Sequence, residues 1–459
     1  MRAVAAGHPA TADAGMEILE AGGSAADAAV AACLASCVAE TVMTGLLGGG
    51  HAIYYDGASE RAANLDFFVA VPGLGRERRE VALLELEVPF GSELVHYAVG
   101  IGSCAVPGIA AGLDALWSEH GKLPWARVVE PALRLAEDAV PMPAAHASCL
   151  AMLAPVMTMN EGAEIYSPGG SLLEEGDLLR QPGLVPALEM LEDEGPRSVY
   201  EGTIGGALLA LMEERGGLVT EDDLRAYEAA WLEPVDVEFR GYDLLTRAGL
   251  SDFPSALSSL PLLSGLNEPQ RALALAETLR HEPRRQTGTT NVSVIDDDGN
   301  ACVLTTSLGL GSGDFLPGLD LHLNSMLGES DLLMGPLEPG TRMASMMAPS
   351  LALDAEGVAL AAGAAGGTRL RSALLQVVAG ILDEGLDPQA AVDRPRLHPI
   401  ESLLHIEPGF DANTIAALEA AGFEVREWPH RHHYFGGVSA ITRSAAAGDP
   451  RRSGAARSA

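Results

Sequence analysis

Residues 287 to 307 read Thr-Gly-Thr-Thr-Asn-Val-Ser-Val-Ile-Asp-Asp-Asp-Gly-Asn-Ala-Cys-Val-Leu-Thr-Thr-Ser. The first half is rich in β-branched residues and hydroxyls, which is typical of a strand. Residues 297 to 300, Asp-Asp-Gly-Asn, tolerate turn geometry, and residues 301 to 304 resume an apolar run. The stretch therefore predicts a β-hairpin whose two strands carry hydroxyl groups.

The threonine at the hairpin entry is a candidate nucleophile. Gly288 precedes Thr289, and a hydroxyl at that position can attack the peptide bond before it. If this bond breaks, Thr289 gains an α-amino group, which titrates at about 7.7 to 8.0 and can accept the hydroxyl proton. A different register would make Thr287 or Thr290 the nucleophile. The non-functional alternative is that Thr289 is a threonine in a surface linker.

The segment from 289 to 300 resembles the γ-glutamyltranspeptidase family, and further motifs of that family follow one another along almost the whole chain. They are Gly7-His8-Pro9, the Gly-Gly-Ser-Ala-Ala-Asp-Ala-Ala segment at 22–29, the glycine-rich segment 45–50, Val106-Pro107-Gly108, Ser345-Met346 with Ala348-Pro349, Gly366-Gly367-Thr368-Arg369, and Asp393-Arg394-Pro395-Arg396 with His398. Each motif alone is weak, whereas their order and spacing together are specific. The sequence is identified as a member of that family.

The resemblance implies a mixed α/β fold, the four-layer αββα sandwich of N-terminal-nucleophile hydrolases. It also implies a precursor that cuts itself between Gly288 and Thr289. Residues 1–288 would then form a large subunit and residues 289–459 a small one, as a heterodimer within one intertwined domain. Whether this pair assembles further is left open.

The resemblance also assigns catalytic roles. Ser307 aligns with a threonine that hydrogen-bonds the nucleophile's hydroxyl, and the alternative is a polar strand residue that faces solvent. Gly366 and Gly367 match a glycine pair whose backbone N–H groups form an oxyanion hole, where a Cβ would obstruct the substrate. The alternative for the pair is a plain turn between a strand and a helix. No cofactor and no metal are expected.

The predicted substrate is a γ-glutamyl amide such as glutathione, which would be hydrolysed or would donate its acyl group to an amine. Such a substrate presents an α-carboxylate and an α-ammonium. Ser345 matches one residue of a serine pair that binds the carboxylate. Arg76 lies nearest to the expected arginine, although Arg78, Arg79 or a merely solvated basic cluster are alternatives. Glu329 stands where relatives carry an aspartate for the ammonium.

Three residues depart from the family's substrate pattern, and they support an alternative function. Ala344 replaces a serine, Gly309 an asparagine, and Met326 a glutamine or glutamate. Missing polar partners weaken binding of a polar group by about 1 to 3 kcal/mol each. The alternatives are therefore an acylase of the same family with a different acyl group, or a non-catalytic relative.

A deletion is a further departure. Between residues 245 and 281 relatives carry a much longer segment, and here only about 35 residues remain. Two interpretations stand: harmless trimming of a loop, or a more open substrate cleft.

Charge and composition exclude several partners. The chain has 63 acidic and 29 basic residues and a net charge of −34, which repels nucleic acid and anionic membranes. The acidity fits a high-salt environment as well as a genomic preference for arginine over lysine. No signal segment and no long apolar run are visible, so we expect a cytoplasmic protein, or an exported one if the true start lies upstream.

Periodicity predicts helices at residues 9–21 and 25–39, two segments within 109–140 split near Gly121, and an amphipathic helix at 371–386. It predicts one strand over 235–245 and a frayed tail over the last ten or so residues. The five cysteines are expected to be buried small hydrophobes. Strand geometry would place His430 and His432 on one face, but without a companion ligand we do not expect them to bind metal.

Overall fold

The computed structural model of the protein describes residues 1–77, 81–90, 93–280, 289–367 and 369–459. Arg78, Arg79, Thr287, Gly288 and Thr368, which the sequence brought into consideration, lie outside the described residues.

The strands of the described residues follow in chain order. They are β1 (Ala3–Ala6), β2 (Gly49–Asp56), β3 (Arg61–Phe67), β4 (Leu84–Phe90), β5 (Glu93–Val99), β6 (Val140–Pro141), β7 (Leu178–Leu179), β8 (Ala230–Leu232), β9 (Val235–Phe239), β10 (Tyr242–Thr246), β11 (Thr290–Ile295), β12 (Ala301–Ser307), β13 (Phe315–Leu316), β14 (Leu321–His322), β15 (Ser350–Asp354), β16 (Gly357–Ala365), β17 (Leu397–Ile400), β18 (Leu403–Ile406), β19 (Glu424–Glu427), β20 (Gly437–Thr442), β21 (Ala446–Ala447) and β22 (Ala455–Ser458).

The α-helices of the described residues surround these strands. They are α1 (Pro9–Glu20), α2 (Ala25–Ala39), α3 (Ile109–His120), α4 (Trp125–Asp138), α5 (Ala144–Met157), α6 (Gly162–Tyr166), α7 (Leu184–Glu194), α8 (Thr203–Arg215), α9 (Glu221–Ala226), α10 (Phe253–Ser259), α11 (Glu268–Leu279), α12 (Arg369–Leu382), α13 (Pro388–Asp393) and α14 (Ala412–Ala420).

Two antiparallel sheets form the centre of the molecule. The first has the strand order β22-β1-β11-β12-β2-β3-β8, and the second has the order β21-β20-β16-β15-β10-β9. The sheets contact each other through β11 and β12 on one side and β16 and β20 on the other. Helices α1 and α2 cover the outer face of the first sheet, and α12 covers that of the second. The predicted four-layer αββα sandwich is thus confirmed.

Helix α2 shows why the helical layer forms where the sequence predicted it. Ser24 and Asp27 form a capping box, in which the Ser24 hydroxyl accepts the Asp27 N–H at 3.2 Å and the Asp27 carboxylate accepts the Ser24 N–H at 2.9 Å. Every residue from 25 to 39 is buried, since the helix packs against α1, α3, α4 and the hairpin strands. The Ala-rich run, which is uncharged from residue 28 to residue 39, is therefore a core helix.

The predicted hairpin is confirmed as β11 and β12. Thr290 pairs with Thr306, and Asn291 with Thr305. The turn is held by Asp296, whose carboxylate accepts the backbone N–H groups of Asp298 at 3.0 Å and Asn300 at 2.9 Å. Because β1 and β2 flank the pair, the hairpin lies inside the sheet and not at its edge.

Two predictions of secondary structure were wrong. Residues 235–245 form the hairpin of β9 and β10, because Arg240 (φ 57°) and Gly241 (φ 84°) adopt the left-handed geometry of a two-residue turn. The frayed tail is instead ordered, because β22 pairs with β1 from residue 455 to residue 458. Just before β22, Arg451 and Arg452 are buried.

The predicted helices and the predicted burial of the cysteines are confirmed. The predicted helix 371–386 is found as α12, which begins two residues earlier and ends at Leu382. The segments around Gly121 are found as α3 and α4. All five cysteines are buried and free, as predicted. Within the described ranges, no helix combines the length and the apolar character needed to cross a bilayer.

Candidate active site

Thr289 lies at the very start of the central hairpin. Its side chain is 1% exposed, and its hydroxyl has no hydrogen-bond partner among the described residues. Thr290 pairs with Thr306, so the next step of the same register places Thr289 opposite Ser307. The sequence therefore folds to set a hydroxyl without a partner beside a second buried hydroxyl.

Thr290, the alternative nucleophile, is in a different situation. Its hydroxyl donates a hydrogen bond of 2.5 Å to the Glu40 carboxylate, which also accepts the Thr11 hydroxyl at 2.7 Å. A hydroxyl held in this way is less available for attack than that of Thr289. The local geometry therefore favours Thr289 over Thr290.

One small cavity brings three of the predicted site residues together, namely Thr289, Ser307 and Ser345. We call it the methionine cavity, because the rest of its lining is apolar: Phe68, Met326, Leu332, Met346, Met347 and Leu370. Two of the hydroxyls are already engaged, since Ser307 Oγ accepts the Gly309 N–H at 2.9 Å and Ser345 Oγ accepts the Met347 N–H at 3.2 Å. The surroundings of Thr289 on this side are hence largely apolar.

Gly366 and Gly367 form the turn between β16 and α12. Both have positive φ angles, 133° and 62°, a conformation that favours glycine. A Cβ on Gly366 would lie 2.7 Å from the Gly436 Cα atom, so the turn has no room for a side chain there. Ala365, directly before the pair, and Leu370, three residues after it, line cavities that also contain Thr289. The predicted oxyanion turn thus adjoins the predicted nucleophile.

A second cavity, which we call the Glu40 cavity, contains Thr289, Thr290, Glu40 and Arg452 among its lining residues. Arg452 Nη1 lies 3.4 Å from the Thr289 carbonyl oxygen and 3.0 Å from the Met43 sulfur. Burial raises the pKa of Glu40 to about 7, although the two threonine hydroxyls and the charge of Arg452 oppose that rise. Sequence reasoning missed both charged residues.

The sequence around each of these two residues has a feature that could have indicated its importance. Glu40 is the acidic residue that ends the uncharged run from 28 to 39, and Arg452 follows another arginine in a tail that otherwise has the composition of a loose segment. An isolated charge at the end of a core helix has to find a partner, because an unpaired buried charge is costly. That rule would have drawn attention to Glu40.

Arg76, the predicted ligand of the substrate carboxylate, does not line the methionine cavity. It lines a separate cavity of about 230 Å³ together with Val71, Leu218, Leu327 and Leu337. The cation beside Ser345 is instead Arg247, which follows β10 and donates to the carbonyl oxygens of Ser345 at 3.3 Å and Met347 at 3.1 Å. Burial lowers the pKa of Arg247, and the charge of Asp66 opposes that effect. The structure does not bring Arg76 and Ser345 into one cavity.

Glu329 is buried next to Gly309. A Cβ on Gly309 would lie 2.2 Å from Glu329 Oε1 and 2.6 Å from Ser325 Oγ. The glycine that replaces the family's asparagine therefore provides the space that the Glu329 carboxylate occupies. The two departures are linked: the longer acid needs the smaller neighbour.

The histidines before Tyr434 do not lie on a strand, contrary to the geometry assumed from the sequence, because residues 433 to 435 form a short 3-10 helix. The rings of His432 and His433 are 4.0 Å apart, and burial lowers the pKa of His432 to about 4. Over the described residues, no group of three or more histidine, cysteine, aspartate or glutamate side chains has the arrangement of a metal site.

Comparison with known proteins adds three findings. A family model described as Gamma-glutamyltranspeptidase matches residues 11–282 and 273–459. An acylase ACY 1 proenzyme from Pseudomonas sp. (strain SE83) is 28% identical over 95% of this chain and 89% of its own, and a glutathione hydrolase proenzyme from Escherichia coli (strain K12) is 26% identical over 90% and 83%. The crystal structure of cephalosporin acylase from Bacillus halodurans superposes with a TM-score of 0.82 at 23% identity, covering 99% of this chain and 95% of that one.

Proposed function

Because this chain belongs to the gamma-glutamyltranspeptidase family, we propose that it is a self-processing amide hydrolase with Thr289 as its nucleophile. The observation that carries the proposal is the buried Thr289 hydroxyl, which has no partner among the described residues. Thr289 shares one cavity with Ser307 and a second cavity with Ala365, the residue before the turn at Gly366. Related proteins are named proenzymes, which agrees with processing of a precursor.

In the proposed processing step the Thr289 oxygen attacks the Gly288 carbonyl carbon, the C–N bond breaks, and the nitrogen takes up the proton that the hydroxyl loses. Water then hydrolyses the resulting ester. The products are a carboxylate at residue 288 and a free α-amino group on Thr289, which serves as the base in later turnovers.

In turnover, the Thr289 oxygen attacks the substrate amide while its proton passes to the α-amino nitrogen. Backbone N–H groups at Gly366 and Gly367 would stabilise the oxyanion, which contributes about 3 kcal/mol per donor in comparable sites. The proton moves on to the leaving amine, and water or another amine resolves the acyl-enzyme.

The proposed acyl group is largely apolar, and a related Pseudomonas protein is named an acylase. The support is the methionine cavity, in which three methionines, a phenylalanine and two leucines surround Thr289. An uncharged acyl chain next to this lining would leave no polar substrate group unpaired.

A γ-glutamyl amide is the second candidate. Ser345 in the methionine cavity and the carboxylate of Glu329 are the residues that favour it, and the Escherichia coli relative is named a glutathione hydrolase. Arg247 supplies a cation beside Ser345 that a substrate carboxylate would require.

Two measurements test these proposals. Wild type, Thr289→Ala and Thr289→Ser are compared by denaturing gel and N-terminal sequencing, where we expect cleavage before Thr289 in wild type, slower cleavage with serine, and none with alanine. Cleaved protein is then assayed with p-nitroanilides of hexanoic acid and of γ-glutamate. Preference for the hexanoyl anilide supports the acylase, and preference for the γ-glutamyl anilide supports the second candidate. An uncleaved wild type that turns over neither anilide contradicts both and leaves a non-catalytic relative.

A further inference from the structure

The Glu40 carboxylate is buried next to the predicted cleavage point and has no ionic partner among the residues that the structure describes. It is 1% exposed, and its two oxygens accept one hydroxyl each, from Thr11 and Thr290. Arg452 acts on it only as a nearby charge, because no ion pair with Glu40 forms within the described part of the chain. Two hydroxyls compensate a buried carboxylate only in part, and each oxygen keeps capacity for a further donor.

The other carboxylate on the Glu40 cavity is already satisfied. Asp449 accepts hydrogen bonds from Arg396 at 2.5 Å, from Arg451 at 3.2 Å and from the Val438 N–H at 3.0 Å. These contacts hold the pKa of Asp449 below its usual range although the group is buried. Of the two acids on this cavity, Glu40 is therefore the one with room for a cation.

Cleavage would create such a cation in the same cavity. The new α-amino group would belong to Thr289, which lines the Glu40 cavity and is bonded to Thr290, the residue whose hydroxyl contacts Glu40. Consecutive Cα atoms are about 3.8 Å apart, so the amine would form one residue from the threonine whose hydroxyl contacts Glu40, on the same cavity. A buried ammonium without a partner is costly, and carboxylates are the partners that compensate it best.

We propose that Glu40 binds the α-amino group that cleavage creates on Thr289. It thereby positions the base of the catalytic threonine and stabilises the ammonium that forms once this base has accepted the hydroxyl proton. This inference rests on the proposed function, because it requires Thr289 to be the processed N-terminus. Glu40 is a positioning residue: it accepts hydrogen bonds from the amine, while the hydroxyl proton of Thr289 still passes to the amine nitrogen.

The charges around Glu40 are consistent with this role. Its pKa in the uncut chain is raised to about 7 by burial, and a neighbouring ammonium would lower it, while the carboxylate would in turn raise the pKa of the amine. The other titratable groups nearby are the cation Arg452, the buried thiol of Cys37, whose pKa is raised, and His146, whose pKa burial lowers to about 3. The thiol and the imidazole are neutral near pH 7, so they do not neutralise Glu40.

The first test is the pH profile of cleaved Glu40→Gln. The acid limb of kcat/KM reports the α-amine, and removing the carboxylate should move it to lower pH by about one unit or more. Glu40→Asp keeps the charge and should return the limb toward its wild-type position, a rescue that a merely structural role would not give. A cleaved Glu40→Gln enzyme with a wild-type acid limb would overturn the proposal.

A second measurement decides the matter if Glu40→Gln does not cleave or fold. Infrared spectra of cleaved wild type and uncut Thr289→Ala are compared over about pH 5 to 8, a range that spans the pKa of a buried carboxyl. We expect one more protonated carboxyl near neutral pH in the uncut variant, because only the cleaved enzyme has the ammonium. Equal numbers in both would overturn the inference, whereas failure of wild type to cleave would overturn the proposed function itself.

Discussion

Arg452 Nη1 lies 3.4 Å from the carbonyl oxygen of Thr289, although 163 residues separate them in the chain. The guanidinium is buried, its Nε has no partner in the described part of the protein, and its Nη2 lies 3.4 Å from the position that a Cβ on Gly366 would occupy. One cation thus borders both the predicted nucleophile and the predicted oxyanion turn.

The variant Arg452→Met should fold, because methionine fills similar volume and removes a buried charge that is poorly compensated. We expect kcat/KM to fall on the order of tenfold to a hundredfold, since a hydrogen bond from a charged group contributes about 1.5 to 3 kcal/mol. Arg443→Met is the matched control, because Arg443 pairs with Asp354 at the surface and should leave turnover unchanged. Equal effects of both variants would contradict a local role for Arg452.

The turn at Gly366 should not accept a side chain. Gly366→Ala combines positive φ with a Cβ 2.7 Å from the Gly436 Cα atom, so we expect a loss of about 2 kcal/mol or more of unfolding free energy, together with slower turnover. Gly385→Ala is the control, because φ is 70° there and no atom lies close to the added Cβ. Its loss of unfolding free energy, about 1 kcal/mol, therefore reports the backbone strain without a steric clash. Chemical denaturation measures both. A Gly366→Ala variant as active and stable as the control would be contrary to expectation.

The Ser307 hydroxyl should be replaceable by another hydroxyl but not by hydrogen. Ser307→Ala leaves the Gly309 N–H without its acceptor, and we expect kcat to fall about 5- to 100-fold, in line with 1 to 3 kcal/mol for an unsatisfied buried group. Ser307→Thr keeps the oxygen and should retain activity. Steady-state kinetics on cleaved protein compare the two variants. If Ser307→Ala and Ser307→Thr have equal kcat values, the Ser307 hydroxyl does not contribute to turnover.

Polarity in the methionine cavity should alter acyl selectivity. Met326 is fully buried and lines the cavity, so Met326→Gln places an amide next to the acyl chain and should lower kcat/KM for the hexanoyl anilide by about tenfold. Met334→Gln is the control, because Met334 is 55% exposed. If both variants keep the wild-type ratio of hexanoyl to γ-glutamyl turnover, the acyl group does not lie in this cavity.

The stability of the uncut precursor should depend on Glu40 and pH. Burial raises its pKa from about 4.5 to about 7, so the folded chain binds the proton more tightly than the unfolded chain. The stabilising contribution is therefore fully present below about pH 4.5 and lost as the pH rises through about 7.

Glu40→Gln in the Thr289→Ala background removes this dependence. As the pH rises between those two values, the unfolding free energy of the double variant should increase, relative to that of Thr289→Ala alone, by on the order of 3 kcal/mol. Thermal melts of both variants across the range measure the difference, in which the contributions of buried histidines cancel. A difference that stays constant with pH would mean that Glu40 does not titrate there.

Much of the fold could be predicted because it depends on local patterns. The uncharged run of α2 and the turn residues of the β11–β12 hairpin specify their elements without reference to the rest of the chain. The tail could not be predicted in this way, since residues 455 to 458 become a strand only by pairing with β1, which lies at the other end of the sequence.

Residues of the candidate site could be predicted where they belong to a recognisable sequence motif. They could not be predicted where tertiary contacts bring distant segments of the chain together. Thr289, Ser307 and Ser345 come together in one cavity, whereas Arg76 lies in another because the chain leaves the sheet after β3. Glu40, Arg247 and Arg452 have no motif of their own. Their contacts join segments about 100 to 250 residues apart, which no local pattern encodes.

The strand order of the first sheet interleaves residues from both sides of position 288. Strands β11 and β12 lie between β1 and β2, and β22 lies on the outer side of β1. Before a cut, the sheet can form by unimolecular folding. After a cut at Thr289, reassembly from denaturant becomes a bimolecular reaction whose rate depends on protein concentration. The peptide bond before Thr289 thus makes assembly of the sheet unimolecular, while the proposed catalysis at Thr289 requires that the bond be gone.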